Sequence, residues 1–246
     1  MIKKLLLSFL LAGILILTLS KNSYAALIVV NKNGEVIWGV LGSEIDATLP
    51  IPRPKNLEVK NVAQLAGLPT NAEISLAKDN GKVELSVTTD SGRSKTDVTS
   101  YKDDLVEIET TDESKKVKIT TVDGAFVIAQ EGITAKTVFP ITINAPEKRI
   151  LVETSSGKRF LSILPYDAVS GIFKANILKA DGIKSVDLKE SDKGELEYGV
   201  DGKKEISLFN IISFEVPIQA NISASTGEIL KLEMPVWYKI LGFVFT

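Results

Sequence analysis

The sequence predicts an α+β fold that is mostly β: an N-terminal antiparallel β sandwich or partly open barrel, then a small antiparallel sheet with one packed helix. Two observations support this prediction. Short runs rich in Val, Ile, Leu and Thr alternate with Gly, Asp, Asn and Ser turn residues over most of the chain, as in sandwiches and barrels. Residues 165–178 show the clearest helical spacing of apolar residues, and strand-like runs resume after them.

The first 25 residues have the three parts of a secretory signal peptide. A basic start precedes an uncharged apolar run at residues 5–19, and Ser23 and Ala25 place small residues at the −3 and −1 positions of a cleavage site. The run is shorter than the ~20 residues of a membrane-spanning helix, although retention as an N-terminal anchor is the alternative interpretation. We therefore expect cleavage after Ala25 and an extracytoplasmic protein, secreted or at the cell surface.

The composition excludes several kinds of chemistry. The chain has no Cys and no His, which excludes disulfides, Cys/His nucleophiles, Ser-His-Asp triads and transition-metal sites built from these residues. The expected signal peptide carries only basic charges, so the remaining chain has 26 basic and 31 acidic residues and a net charge of −5. This acidic balance argues against a nucleic-acid partner. We expect no catalytic residue, no cofactor and no metal.

The chain after residue 25 is predicted to open with a β-hairpin. Two β-rich runs, 27–30 and 35–41, flank the sequence Asn-Lys-Asn-Gly at 31–34, and Asn-Gly favours a tight turn. Three alternating prolines at 50–54 predict an extended connector, and 61–66 could form one helical turn. Residues 88–101 are polar, with a turn at 90–92. Further strands are expected at 83–87, 105–109, 116–121, 125–128, 137–143, 149–153 and 159–163.

The second part of the chain begins with the predicted helix at 165–178. Pro165 suits the first helical turn, and Gly182 lies shortly after the expected end. Strands are expected at 183–188, 195–200, 206–218 and 219–223. The expected turns between them are Lys193-Gly194, Asp201-Gly202 and Thr226-Gly227.

Residues 219–230 resemble the end of a PepSY domain. That family typically closes with a strand of the form Val-Asp-Ala-x-Thr-Gly-Glu-Val, which residues 223–229 match except that Ser223 stands where Asp is usual. Pro165 and Ala168 also resemble the start of the family's helix, and the similarity covers about 161–231. The resemblance implies a helix packed on one face of a small antiparallel sheet, an extracytoplasmic location, and a role in restraining peptidases or in protein–protein regulation at the cell envelope. It brings no catalytic residues.

Four segments follow from these patterns. They are a signal peptide at 1–25, a β-rich domain at 26–160, a PepSY-like α+β module at 161–234, and an apolar aromatic tail at 235–246. The β-rich domain carries no family motif that we can name.

Several short motifs have structural interpretations that we prefer. Residues 75–78 have Ser-x-x-Lys spacing, but a turn follows at once, and residues 155–158 look like a hairpin turn rather than a phosphate loop. The Asn-Ile-Ser sequon at 221–223 lies in a predicted strand and is interpreted as accidental. The acid pairs are interpreted as solvated turns; they are Asp103-Asp104, Asp112-Glu113 and Glu190/Asp192.

The C-terminal tail is the candidate interaction segment. Its large apolar side chains are Trp237, Tyr238, Ile240, Leu241, Phe243, Val244 and Phe245. Three interpretations stay open: the tail covers the protein's own core, lies in a membrane interface where Trp and Tyr are favoured, or inserts into a partner or a second copy. Twelve residues are too few to span a bilayer as a helix.

The expected function is that of an exported, non-enzymatic protein-binding or regulatory module whose partner is an envelope or extracellular protein. The alternative is a structural or adhesive envelope protein anchored by its tail to a membrane or partner. A hydrolase that uses carboxylates alone is a third hypothesis.

Overall fold

The computed structural model describes residues 26–38, 71–110, 115–208 and 212–241. The strands in these ranges are, in chain order, β1 (Ile28–Val30), β2 (Val36–Trp38), β3 (Glu73–Asp79), β4 (Lys82–Thr89), β5 (Gly92–Asp97), β6 (Val106–Ile108), β7 (Val117–Val122), β8 (Ala125–Gln130), β9 (Ile133–Thr137), β10 (Ile141–Asn144), β11 (Arg149–Thr154), β12 (Gly157–Phe160), β13 (Ile183–Glu190), β14 (Leu196–Leu208), β15 (Ile212–Ser223) and β16 (Ile229–Glu233). The helices are α1 (Pro165–Lys174), α2 (Val236–Leu241) and a 3-10 turn at Ala180–Gly182.

The strands form two sheets. The larger sheet has ten strands in the order β16-β15-β14-β13-β9-β8-β7-β6-β1-β2, and the smaller has six in the order β12-β11-β10-β3-β4-β5. Neighbouring strands are antiparallel except for β1 with β6 and β9 with β13. This arrangement of two open sheets with few helices confirms the predicted α+β, mostly β fold class.

One hydrophobic core joins the two sheets and α1. Side chains alternate along each strand, so one face supplies the buried residues, as Ile74 and Leu76 do in β3 and Ile141 and Ile143 do in β10. The α1 residues Ala168, Val169 and Ile172 belong to the same cluster. The smaller sheet and α1 therefore both pack against the inner face of the larger sheet.

The N-terminal hairpin is confirmed. β1 and β2 pair antiparallel, and the Asn31 side chain accepts hydrogen bonds at 2.9 Å from the amides of Asn33 and Glu35. Gly34 has φ +80°, and a Cβ there would lie 2.8 Å from the carbonyl oxygen of Ala145. Both the turn conformation and the close approach therefore require glycine.

The predicted helix is confirmed but is shorter than expected. α1 begins at Pro165 and ends at Lys174, and Asn176 then adopts a left-handed φ of 52°. The buried Gln130 side chain in β8 caps the helix, because its Oε1 accepts a hydrogen bond from the Tyr166 amide at 3.1 Å. Its Nε2 donates to Asp167 at 3.3 Å.

The turn predicted at Asp201-Gly202 is wrong, because both residues lie inside β14. A Cβ on Gly202 would lie 2.8 Å from the carbonyl oxygen of Gly182 and 2.6 Å from Leu178 Cδ1. Glycine is needed there for close packing of the 3-10 turn, and its φ is not positive. The run predicted at 206–218 is likewise divided between β14 and β15. The turns at Lys193-Gly194 and Thr226-Gly227 are confirmed.

The larger sheet continues across the domain boundary that the sequence predicts at 160/161. β13 lies beside β9, with Asp187 opposite Lys136. Two side chains also make hydrogen bonds across this boundary, Gln130 to the Tyr166 amide at 3.1 Å and Glu190 to the Ser155 hydroxyl at 2.5 Å. The division into domains stays a prediction. The predicted signal peptide at 1–25, the proline-rich connector and the helical turn at 61–66 lie outside the described residues.

Candidate functional site

The C-terminal tail starts as a short exposed helix. The exposed fractions of Val236, Trp237 and Ile240 in α2 are 71%, 43% and 64%, and Tyr238 is half-buried. None of the described elements packs extensively against α2. The side chains of Val236 and Ile240 therefore do not cover the core, which was one of the three interpretations of the tail. The side chain of Leu241, and Phe243 and Phe245 entirely, lie outside the described residues.

The residues between β16 and α2 explain why the strand ends there and a helix begins. Pro235 has no amide hydrogen to extend a strand ladder, and its fixed φ suits the start of a helix. Its carbonyl oxygen accepts hydrogen bonds from the amides of Tyr238 at 3.0 Å and Lys239 at 3.2 Å. The rings of Trp237 and Tyr238 meet edge to face, with centroids 5.9 Å apart. The sequence thus places an apolar helix at the end of an edge strand.

β16 is the edge of the larger sheet and is itself exposed. It pairs with β15 on one side, with Lys231 opposite Asn221 and Glu233 opposite Gln219. Ile229 and Leu230 are exposed apolar residues, and Leu232 and Met234 pack partly against the core. Strand, connector and helix all carry exposed or half-buried apolar side chains. We call this the β16–α2 surface, defined as residues 229–241.

The charges of β16 are paired with each other. Lys231 Nζ lies 2.5 Å from Glu233 Oε1, and both side chains are exposed. Their hydrogen bond raises the pKa of Lys231 and lowers the pKa of Glu233. Because these two side chains lie two residues apart along a strand, they share the face of the sheet that points away from α1.

Two other sheet edges in the described chain are protected in familiar ways. All four residues of β12 are exposed and include the adjacent cations Lys158 and Arg159, and β5 contains no large apolar residue. Edge charges discourage pairing with other chains. The β16 edge differs from them because exposed apolar residues continue from it into α2.

A polar groove crosses the outer face of the larger sheet beside β16. It has a volume of about 260 Å³, and the Lys189 side chain lies over Gly199 in it. The buried carboxylate of Glu197 lies 3.3 Å from Lys189 Nζ and accepts a hydrogen bond from Asn221 at 3.0 Å. The side-chain amide of Asn221 in the sequon is therefore hydrogen-bonded on the outer face of the sheet, one strand in from the β16 edge. Other groove residues are Asp187, Asp201, Gln219, Lys231 and Glu233.

A second cavity, of about 560 Å³, opens between the two sheets near β12. The Arg149 guanidinium lies over the Phe160 ring, 5.6 Å from its centroid, and 3.2 Å from the Glu147 carboxylate. Lys148 donates a hydrogen bond to the Lys32 carbonyl oxygen at 2.9 Å. The cations at this opening already have partners within the protein.

The Ser-x-x-Lys motif at 75–78 and the Ser-Ser turn at 155–156 lie where the structural interpretations put them. Ser75 and Lys78 are in strand β3, and Ser75 Oγ lies 3.1 Å from Thr142 Oγ1. Residues 155 and 156 form the β11–β12 turn. The interpretation of the acid pairs as solvated turns is wrong for Asp104, whose partly buried carboxylate pairs with Lys118 at 2.5 Å. Asp112-Glu113 lies outside the described residues. Among the described residues, no group of three or more Asp or Glu is arranged to hold a metal ion.

Sequence reasoning missed the importance of Glu190. Its carboxylate accepts three hydrogen bonds from the β11–β12 turn and so joins the two sheets. The signal was faint: an acid at the end of one strand and a Ser-Ser turn some 35 positions earlier. Nothing in the sequence indicates that these segments meet. Sequence reasoning also did not identify β16 as an exposed edge, because the order of strands in a sheet cannot be predicted from apolar patterns.

Comparison of the chain with models of protein families, with curated proteins and with solved structures gave no match. Within the described part of the chain, no helix has the length and apolar character needed to cross a membrane.

Proposed function

We propose that this chain is an exported, non-enzymatic binding or regulatory module that holds another envelope or extracellular protein through the β16–α2 surface. The exposure of Val236, Trp237 and Ile240 carries this proposal. Contiguous exposed apolar side chains are uncommon on monomeric proteins and usually mark interaction sites. No strand of the described residues pairs with the outer edge of β16, which offers backbone groups to which an extended segment of a partner can bind.

The remainder of the fold suits such a role. A single core joins both sheets and α1, so the β16–α2 surface stands on a rigid support. A rigid support keeps the entropy cost of binding low. The PepSY resemblance of residues 161–231 stays a prediction, and the proposal does not depend on it.

Substitution at α2 tests the proposal. Val236→Asp/Ile240→Asp places two charges on the surface without touching the core, because both side chains are largely exposed. Val138→Asp is the matched control, since Val138 is 74% exposed and lies far from α2 in the sequence. Tagged proteins are used to capture partners from the extracytoplasmic fraction. We expect one protein to be retained by the unaltered chain and the control and lost by the double variant. Identical captured proteins for all three chains would contradict the proposal.

A membrane anchor is the second candidate function, and the exposed Trp237 next to apolar neighbours favours it. Flotation with vesicles of phosphatidylcholine and phosphatidylglycerol tests it. An anchor requires that the full chain float with the vesicles and that a chain lacking residues 235–246 remain in solution. Equal partitioning of the two chains would exclude the anchor.

A further inference from the structure

The β16 edge is complementary to itself. When two copies of an edge strand meet antiparallel around a two-fold axis, residues equally distant from the axis face each other. With the axis at Leu232, Lys231 of one copy faces Glu233 of the other, and Glu233 faces Lys231. Both side chains lie on the same outer face of the sheet, so two pairs of opposite charge form across the junction.

The neighbouring registers of this junction are unfavourable. A shift that centres the axis on Lys231 sets two lysines opposite each other, and one that centres it on Glu233 sets two carboxylates opposite each other. Like charges directly opposite each other are destabilising. A shift by a single residue would pair the outward Lys231 with the inward Leu232 and put one copy's core face on the solvent side. Charge and side-chain direction therefore select the same register.

Apolar residues flank the charges in this register. Leu230 lies at the bulge between Ile229 and Lys231, and Met234 directly follows β16, so these two residues flank the regularly paired part of the strand and come near each other in the dimer, immediately before the exposed helix α2. Each α2 then lies near the Ile229 and Leu230 end of the other copy's strand. The exposed apolar side chains at the two ends of β16 can thus cover each other across the two-fold axis.

We infer that the β16–α2 surface binds a second copy of this chain, with β16 pairing antiparallel about Leu232 to give one continuous sheet across the dimer. This inference rests on the proposed role of the β16–α2 surface in protein binding and names a second copy as its occupant. Backbone pairing and the Lys231–Glu233 contacts fix the register, and the apolar side chains of residues 229–241 supply buried area.

A charge-exchange experiment tests the inference with the full chain. Sedimentation equilibrium measures self-association of the unaltered chain, Lys231→Glu, Glu233→Lys and the double variant that carries both. Each single variant sets like charges opposite each other, so its dimer should be about tenfold weaker or more. The double variant restores both opposite-charge pairs with their signs exchanged and should dimerise like the unaltered chain.

Mixing the two single variants gives a further readout. Lys231→Glu presents two acids and Glu233→Lys presents two lysines, so the two chains should form a heterodimer although each alone associates weakly. Lys158→Glu on the β12 edge is the matched control and should dimerise normally. Equal association of all the variants, or a monomeric unaltered chain at every concentration, would overturn the inference. If that monomeric chain still retained another protein through Val236 and Ile240, the proposed function would stand without it.

Discussion

Glu190 holds the turn at Ser155 through a pair of hydrogen bonds to one oxygen. Its Oε2 accepts the Ser155 amide at 3.1 Å and the Ser155 hydroxyl at 2.5 Å, while Oε1 accepts the Ser156 amide at 3.0 Å. Hydrogen bonding from the Ser155 and Ser156 side of the turn lowers the pKa of Glu190 from 4.5 to about 2. One carboxylate thereby connects the end of β13 in the larger sheet to the β11–β12 hairpin of the smaller sheet.

This contact should make stability depend on pH below about 4.5. The pKa of Glu190 is lower in the folded chain than in the unfolded chain, so its contribution is complete above the unfolded value and is lost as pH falls toward 2. Glu190→Gln removes the charge that the turn binds. We expect the difference in melting temperature between the unaltered chain and Glu190→Gln to be largest near neutral pH and to vanish near pH 2.

Glu153→Gln is the control for this prediction. Glu153 is an exposed acid on β11, the strand that leads into the turn, and it takes no part in the hydrogen bonds between Glu190 and the turn. Its effect on the melting temperature should be small and should not follow the pH dependence seen at residue 190. A Glu190→Gln difference that is the same at pH 7 and pH 2 would show that the carboxylate is not bound as the structure has it.

Two buried tyrosine hydroxyls predict opposite effects of the same substitution. Tyr198 donates to the Ile163 carbonyl at 2.7 Å, whereas the buried hydroxyl of Tyr101 has no hydrogen-bond partner in the described chain. Tyr198→Phe leaves that carbonyl without its partner and should lower the free energy of unfolding by about 1–3 kcal/mol. Tyr101→Phe removes an unpaired polar atom and should leave stability unchanged or raise it by up to about 1 kcal/mol.

Urea unfolding of both variants, followed by circular dichroism, measures these changes. Because the chemical change is identical, each variant is the control for the other. Equal losses in the two variants would mean that the hydroxyl environments do not differ in the way described.

Two glycines give a second matched pair. Gly202→Ala adds a methyl group 2.6 Å from Leu178 Cδ1 and 2.8 Å from a backbone oxygen, so β14 or the 3-10 turn must move. We expect a loss of about 1–3 kcal/mol in the free energy of unfolding. At Gly171 in α1 the nearest atom to an added Cβ is 3.9 Å away, so Gly171→Ala should raise stability by up to about 1 kcal/mol through helix propensity. Thermal or urea unfolding distinguishes the two signs, and stabilisation by Gly202→Ala would be inconsistent with the close packing of β14.

Much of the secondary structure was predictable because it depends on local patterns. The hairpin at Asn31 and Gly34 and the helix at Pro165 each carry a turn or capping residue next to regular apolar spacing. β5 was not predictable, since a strand at a sheet edge with both faces polar shows no alternation of apolar residues. The turn at Asp201-Gly202 was predicted wrongly for a different reason. Gly202 allows close packing against a segment that is distant in sequence, whereas an Asp-Gly pair by itself is typical of a turn.

The candidate site was predictable only in part. The sequence identifies the apolar tail, since seven large apolar side chains near one terminus are visible in composition alone. Whether Val236 and Ile240 face the core or the solvent depends on the direction that the chain takes after Pro235, which the apolar pattern does not give. The position of β16 at a sheet edge depends on strand order, which is set by contacts between segments far apart in sequence.

Photo-crosslinking in the intact expressing cell tests the proposed binding surface most directly. A photoreactive amino acid replaces Val236 or Ile240 in separate chains, and the exposed Val138 is the control position. We predict a discrete protein adduct from positions 236 and 240 and none from 138, and mass spectrometry of the adduct identifies the bound protein or a second copy of the chain. Absence of an adduct from both tail positions, or the same adduct from position 138, would contradict the proposal that this surface binds protein.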